Sequence, residues 1–317
     1  MSLFASLDLG TNTFRLLIAE IIGSNTISPI LVKREITRLG EGLQKNSSIQ
    51  PQATKRSLKV LEDFSKIIAY YKVEKVFAVT TSAAREAKNG QDFIDQIYKK
   101  TGIQTRILTG DEEADLTLKG VLSVVDRTPS RNLVFDIGGG STEFILTEDI
   151  FPLKTTSVSL GVVHLSENLI TSNPPASNEL YYLRQYINDI LQQLEIIQYI
   201  SNNKPSNTYS AQPLLIGTAG TVTTLAAIDQ KMEEYNPQKI DNYILTREAV
   251  ENIYQQLCIL SIAERRTITG LEKGREAVIV PGAAIVIEIM DHFKFNQLIV
   301  SDAGLIEGIL LDAQTSH

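Results

Sequence analysis

The chain has 317 residues, 43% of them hydrophobic, and a net charge of −7, which gives enough apolar content for two medium-sized cores and argues against bulk nucleic-acid or membrane-surface binding. Its single cysteine, Cys258, excludes an intramolecular disulfide and a cysteine-rich metal site and suits a reducing cytoplasm. The opening MSLFASLDLG has no basic stretch ahead of its apolar residues, so no cleaved signal peptide is expected, and the longest apolar run, Ala277 to Met290, is broken by Glu288 and too short for a bilayer.

In chain order, Leu3 to Leu9, Phe14 to Ile22 and Ile27 to Ile36 read as three consecutive strands, the second turning into the third at Gly23, Ser24 and Asn25. Pro51 opens a helix in which Leu58, Leu61, Phe64, Ile68 and Tyr71 recur every three or four residues and so share one face. A strand at Val76 to Thr80, a helix at Phe93 to Lys100, a strand at Thr105 to Leu108 and a helix at Glu112 to Val125 follow. After a polar turn at Asp126 to Arg131 the pattern restarts with strands at Leu133 to Ile137, Phe144 to Thr147 and Thr155 to Leu160. The rest reads as a helix from Asn178 to Ile200, a polar loop from Ser201 to Pro213 and a strand at Leu214 to Ile216. Helices from Thr221, from Arg247 and after Arg275, a strand at Leu298 to Val300 and a terminal helix complete the order.

The repeat carries a motif. DLGTNTF, Asp8 to Phe14, and DIGGGSTEF, Asp136 to Phe144, each run from an apolar stretch into Asp, Gly and a short polar turn, then into a second apolar stretch. They lie about one domain apart. Such a hairpin suits phosphate, because glycine lets backbone N–H groups approach an anion, hydroxyls add donors, and the Asp can hold a cation or its water shell. Two of them facing across a cleft would grip a phosphate chain from both sides. Domains at 1–126 and 127–302 follow, with the terminal helix, 303–317, packing back on the first.

Further segments carry chemistry. GTAGT, Gly217 to Thr221, follows a strand and opens a helix, where backbone donors and the helix dipole favour an anion; a plain N-cap is the alternative. Arg85 in TTSAAREAKNG offers a guanidinium for phosphate oxygens, or else a surface ion pair with Glu86 or Glu112. Arg15 and Arg38 are candidates of the same kind; Lys33 and Arg34 could add positive potential or else form a solvated face, and Arg265, Arg266, Lys273 and Arg275 could focus the potential further. Glu112 and Glu113 begin the last helix of the first half. Acidic residues favour that position on electrostatic grounds alone, but either carboxylate could take a proton from an attacking water. His164 has no paired ligand spacing for a metal, His292 and His317 read as exposed, and Cys258 reads as core.

DLGTNTFR, RLGEGL, TSAAREAKNG, LTGDEEA, DIGGGSTEF, SLGVVHL, GTAGT, ERRTITGLEKGREAVIVPGAAIV and SDAGLIEG together resemble, in order, the exopolyphosphatase / guanosine pentaphosphate phosphohydrolase family, over Leu7 to Gly308. The resemblance implies an α/β protein of two actin-like, ribonuclease H-like ATPase-fold domains facing an interdomain cleft. It implies hydrolysis of the terminal phosphate of inorganic polyphosphate, of guanosine pentaphosphate, or of both, with Mg²⁺ or another divalent cation. It places the catalytic carboxylate on Glu113 and the metal carboxylates on Asp136 and Glu143, with Asp8 near the same ion. Phosphate contacts would come from Gly10, Thr11, Asn12, Arg15, Arg85, Gly138, Gly139, Gly140, Ser141, Gly217, Thr218, Gly220 and Thr221. The partner implied is the phosphate substrate; the acidic charge speaks against nucleic acid and membrane, and a homodimer is left open.

Two departures stand out. Ile306 occupies a position where many relatives carry arginine, and the chain reads as the short, two-domain form. Two rival readings fit the same motifs: a kinase of the same fold class, since fold does not fix reaction, and a non-catalytic sensor of guanosine tetraphosphate or pentaphosphate.

Overall fold

The computed structural model describes residues 2–22, 26–125, 131–196 and 213–315. The chain divides into two compact units, Met1–Ser123 with Ala303–His317, and Val124–Asp302.

The first unit is built on strands β1 (Leu3–Leu9), β2 (Thr13–Ile22), β3 (Thr26–Ile36), β4 (Lys75–Thr80) and β5 (Thr105–Ile107), in the order β3-β2-β1-β4-β5. β1, β2 and β3 run antiparallel in succession, while β4 lies parallel to β1 and β5 parallel to β4. Because side chains alternate along a strand, β1 and β2 feed two cores. Ala5, Leu7, Leu9, Phe14, Leu16 and Ile18 pack with Leu58, Leu61 and Phe64 of the helix Pro51–Tyr70 and with Phe93 and Ile97 of the helix Gly90–Thr101. Leu17 and Ala19 point the other way, onto Ile306 and Leu310 of the helix Leu305–Thr315. Pro51 sits at the first helical position, where its missing N–H costs nothing.

Ile306 is fully buried in that second core, and its carbonyl accepts a 2.7 Å bond from the buried Ser6 hydroxyl. The residue that departs from the common arginine is therefore a packing residue in this chain. The helix Leu305–Thr315 also crosses the helix Gly110–Leu122 at backbone contact, since a Cβ on Gly308 would overlap Leu116 O and one on Gly120 would overlap Gly304 O.

In the second unit, β6 (Arg131–Ile137), β7 (Thr142–Glu148), β8 (Phe151–Val158), β9 (Leu214–Thr218), β10 (Ile244–Thr246) and β11 (Gln297–Val300) form a sheet in the order β10-β11-β9-β6-β7-β8. β6, β7 and β8 are antiparallel, β9 is parallel to β6 and β11 to β9, and β10 adds an antiparallel edge. Each unit thus has a central first strand with its antiparallel neighbours on one side and parallel strands on the other. This is the α/β, ribonuclease H-like arrangement expected for actin-like domains. The core is dominated by the helix Ile279–Phe293, apolar on nearly every side, with Leu183, Ile187 and Leu191 of the helix Ser177–Gln192 against it.

Some expectations change. The helix expected to reach Ile200 ends at Gln192, and residues 197–200, the loop from Ser201 through 212, the turn at Gly23 to Asn25 and residues 126–130 lie outside the described residues. The short helix Ser82–Glu86 and the strand β10 have no counterpart in the sequence reading, and the helix Val162–Leu169 gives bounds to one that the pattern after Leu160 leaves unplaced. Cys258 is buried, as read. His292 is half-buried against Phe293 rather than exposed, and His317 lies outside the described residues. Among the described residues no helix is long and apolar enough to cross a membrane.

Candidate active site

In both units the singled-out loops follow the carboxyl ends of neighbouring strands, the edge where open α/β sheets bind ligands. In the first unit these are Gly10–Asn12 after β1, Thr81–Arg85 after β4 and Leu108–Glu113 after β5. In the second they are Gly138–Ser141 after β6 and the Thr218–Thr221 turn after β9.

The first loop is held by the segment read as a Gly-bearing bend. Asn12 O accepts from the N–H groups of Thr37 (3.0 Å) and Arg38 (2.9 Å), and Thr11 O accepts from Gly40 N–H at 2.9 Å. Arg38 adopts a left-handed φ of 50° to make that turn. Thr11 Oγ1 shares a 2.7 Å hydrogen bond with Ser82 Oγ, and Gly10 N–H closes the hairpin on Thr13 O at 3.2 Å. Asp8, on β1, faces Arg15 on β2 in register. Burial raises its carboxyl from 3.8 to about 6, more than the Arg15 charge lowers it.

The two adjacent glutamates separate cleanly. Glu112 closes a capping box with Thr109: its carboxylate accepts from Thr109 N–H at 2.8 Å and its own N–H donates to Thr109 Oγ1 at 3.2 Å. Those bonds, the backbone one foremost, hold its pKa below the usual range, and Arg106 pairs with it as well. Glu113 instead meets Arg85, whose Nη1 donates to Glu113 Oε2 at 3.1 Å and to Leu108 O at 2.8 Å. The Glu113 side chain is 13% exposed against 41% for Glu112. The surface ion pair considered for Arg85 is replaced by this partly buried one.

In the second unit, Gly138 N–H closes the hairpin on Ser141 O at 2.9 Å, and the helix Val162–Leu169 presses its first N–H groups onto the loop, Val162 to Gly138 O (3.1 Å) and Val163 to Gly139 O (2.9 Å). A Cβ on Gly161 would overlap Gly139 and Gly140. Asp136 and Glu143 are cross-strand partners in register, Glu143 is 2% exposed, and its Oε1 accepts from Ser157 Oγ at 2.8 Å. Thr218 lies beside Asp136 on the parallel neighbour. Gly220 is covered by the Arg275 guanidinium, which pairs with Glu272, and Thr221 packs on Gly282. His164 is half-buried, and burial keeps its imidazole pKa below the ordinary value.

Several residues escaped the sequence reading. Ser82 acts through Thr11 on a neighbouring loop and Ser157 through Glu143 on a neighbouring strand, and no local spacing marks either. Arg265, counted among the substrate-focusing cations, is 2% exposed and donates to the carbonyls of Leu257 (2.9 Å) and Glu276 (2.9 Å), so it is a structural tie. Arg275 is likewise buried.

Among the described residues no group of three or more His, Cys, Asp or Glu is gathered closely enough to hold a metal alone. Asp136 and Glu143 nevertheless fit Mg²⁺, which binds through one or two carboxylates and completes its shell with waters and substrate phosphate. Asp8 belongs to the first unit.

Glycine-bearing loops at strand ends, a carboxylate–guanidinium pair and two opposed carboxylates are an arrangement suited to handling phosphate. The chain belongs to the Ppx/GppA phosphatase family, whose model matches residues 17–317. It is 28% identical to Exopolyphosphatase 2 of Mycobacterium tuberculosis, with 97% of each protein covered. It is 35% identical to the bifunctional 3-dehydroquinate synthase/phosphatase of Fusobacterium nucleatum, with 97% of this chain covered but only 46% of that protein, so it spans about half of that relative's length. The crystal structure of an exopolyphosphatase from Cytophaga hutchinsonii matches with a TM-score of 0.89 at 27% identity, covering 99% of this chain and 98% of that one. The Aquifex aeolicus Ppx/GppA family member matches with 0.79 at 28%, covering 99% and 98%.

Proposed function

We propose that the chain is a phosphohydrolase that releases the terminal phosphate of inorganic polyphosphate, of guanosine pentaphosphate, or of both, with Mg²⁺ or another divalent cation as cofactor. The observation that carries this reading is the division of labour between the adjacent glutamates. Glu112 is consumed by the helix cap, while Glu113 lies against Arg85, in the row of loops that includes Gly10–Asn12. The names of the similar proteins support the polyphosphate arm.

Backbone N–H groups of Gly10–Asn12, with Arg15 and Arg85, orient the phosphate oxygens in the first unit. Gly138–Ser141 and Gly217–Thr221 do so in the second. Glu113 accepts a proton from water as the water oxygen bonds to the terminal phosphorus and the bridging P–O bond breaks, giving orthophosphate and the shortened chain. Asp136 and Glu143 would hold the cation, which supplies neutralisation of phosphate charge when bound.

The test is phosphate release from long polyphosphate, short polyphosphate and guanosine pentaphosphate, with and without Mg²⁺, alongside Glu113→Gln. Cation-dependent release that the variant loses is the expected result. A folded wild-type protein releasing phosphate from none of the three overturns the reading.

A further inference from the structure

The parallel ladder between β1 and β4 ends at the pair Leu9 and Thr80. Beyond it the two backbones leave the sheet as separate loops, and side-chain hydroxyls take over the cross-linking. Thr80 Oγ1 donates to Leu9 O at 2.9 Å, and one step further out Thr11 Oγ1 and Ser82 Oγ share their 2.7 Å bond. Thr11 and Ser82 are 7% and 4% exposed, so neither hydroxyl can readily exchange its partner for water.

Ser82 is also the first residue of the helix Ser82–Glu86. Arg85, on the same short helix, is anchored by its N–H to Thr81 O at 3.0 Å, and its guanidinium reaches Leu108 O and Glu113. Leu108 N–H returns to Thr80 O at 2.9 Å. The loops after β1, β4 and β5 are thus tied side by side, the first pair through the Thr11–Ser82 hydroxyls and the second through Arg85.

We propose that Ser82 is a positioning residue for phosphate hydrolysis: through Thr11 and through the helix that carries Arg85, its hydroxyl sets the spacing between the Gly10–Asn12 phosphate loop and the Arg85–Glu113 pair. This rests on the reading under Proposed function. In-line attack depends on that spacing, and a displacement of about 1 Å costs on the order of a hundredfold in rate. Without the Ser82 hydroxyl, the Thr11 hydroxyl is left buried without its partner and the loop relaxes to find another.

The experiment compares wild type, Ser82→Ala, Ser82→Thr, Thr11→Val and the Ser82→Ala/Thr11→Val double variant. It measures kcat and KM for polyphosphate and amide hydrogen exchange across residues 10–13 without substrate. For Ser82→Ala the expected result is a kcat lowered roughly ten- to a hundredfold with KM within about threefold, and faster exchange at residues 10–13. Ser82→Thr restores kcat, and the double variant is no worse than the weaker single one, because both remove the same bond. A Ser82→Ala kcat within about twofold of wild type overturns the proposal, as does strict additivity in the double variant. If wild type releases no phosphate, the functional reading fails on its own, and exchange still decides the tie: unchanged protection at residues 10–13 in Ser82→Ala overturns it, and faster exchange upholds it.

Discussion

Arg85 Nη1 lies 3.1 Å from Glu113 Oε2 and 2.8 Å from Leu108 O, so one guanidinium nitrogen ties the proposed base to the backbone of the preceding loop. A carboxylate anchored this way has its orientation fixed before substrate arrives, which suits a group that must align a water. Glu113→Gln preserves size and can still contact Arg85 through its amide oxygen, but it cannot accept the water's proton. The expected outcome is a kcat lowered by about 10²- to 10⁴-fold with the thermal midpoint little changed. Steady-state phosphate release and a melting curve on the same preparation check it, and near-native turnover removes Glu113 from the role.

Glu112→Gln should behave in the opposite way. Its carboxylate accepts from both Thr109 N–H and Thr109 Oγ1 and sits at the positive end of the helix Gly110–Leu122. Losing the charge weakens the cap and its dipole interaction, for a cost of about 0.5–1 kcal/mol, while turnover stays within a few-fold. Urea denaturation together with the phosphate assay separates the two glutamates: a stability loss at 112 and a rate loss at 113.

What was legible in the sequence follows from the range of the interactions. The loops DLGTNTF and DIGGGSTEF announce themselves because a strand end, a tight turn and its glycines are all local. The strand and helix order is legible for the same reason. Glu112 and Glu113 could not be told apart from composition, since adjacent helical residues differ by about 100° in direction. Yet Thr109-Gly-Asp-Glu112 is a capping-box pattern, and that signal was there to be used. Ser157 had none, because its meaning comes from the register of β8 on β7. Arg265 was misread because its carbonyl partners Leu257 and Glu276 lie on other turns of the chain and nothing local marks a buried guanidinium.

Asp8 makes stability depend on pH in a definite direction. Its carboxyl titrates at about 6 in the folded protein against 3.8 for an ordinary aspartate. Between those values the folded state holds the extra proton, so this group's contribution to stability falls as pH rises from about 4 to about 6 and levels off above. The difference is worth on the order of 3 kcal/mol. Asp8→Asn removes the titration. The variant should gain stability relative to wild type as pH increases across that window, and urea midpoints at about pH 4 and about pH 7 measure the gain. A constant difference contradicts the burial argument.

Gly161 is the point where the helix Val162–Leu169 meets the second loop. Its φ of −108° is open to any residue, so the constraint is space alone: a Cβ would run into Gly139 O and the Gly140 backbone. Gly161→Ala must therefore push the helix away and weaken the bonds from Val162 and Val163 to the loop carbonyls. A stability loss of about 1–3 kcal/mol is expected, with phosphate release falling as well because the loop N–H groups lose their aim. Denaturation and turnover measured on the same variant would show both effects, and an unaltered rate would uncouple this helix from the loop.

Ser157→Ala addresses the proposed cation site without touching its carboxylates. Ser157 Oγ donates to Glu143 Oε1 at 2.8 Å from the neighbouring strand, and Glu143 in turn faces Asp136. A buried carboxylate that must turn toward a cation needs its second oxygen held, and partners of this kind typically carry about 10- to 100-fold in metal affinity. The Mg²⁺ concentration for half-maximal phosphate release should rise by that factor in Ser157→Ala, while the rate at saturating Mg²⁺ recovers most of its value. Glu143→Gln, which alters the ligand itself, should not recover at any Mg²⁺ concentration. An unchanged Mg²⁺ dependence in both variants would move the cation away from Asp136 and Glu143.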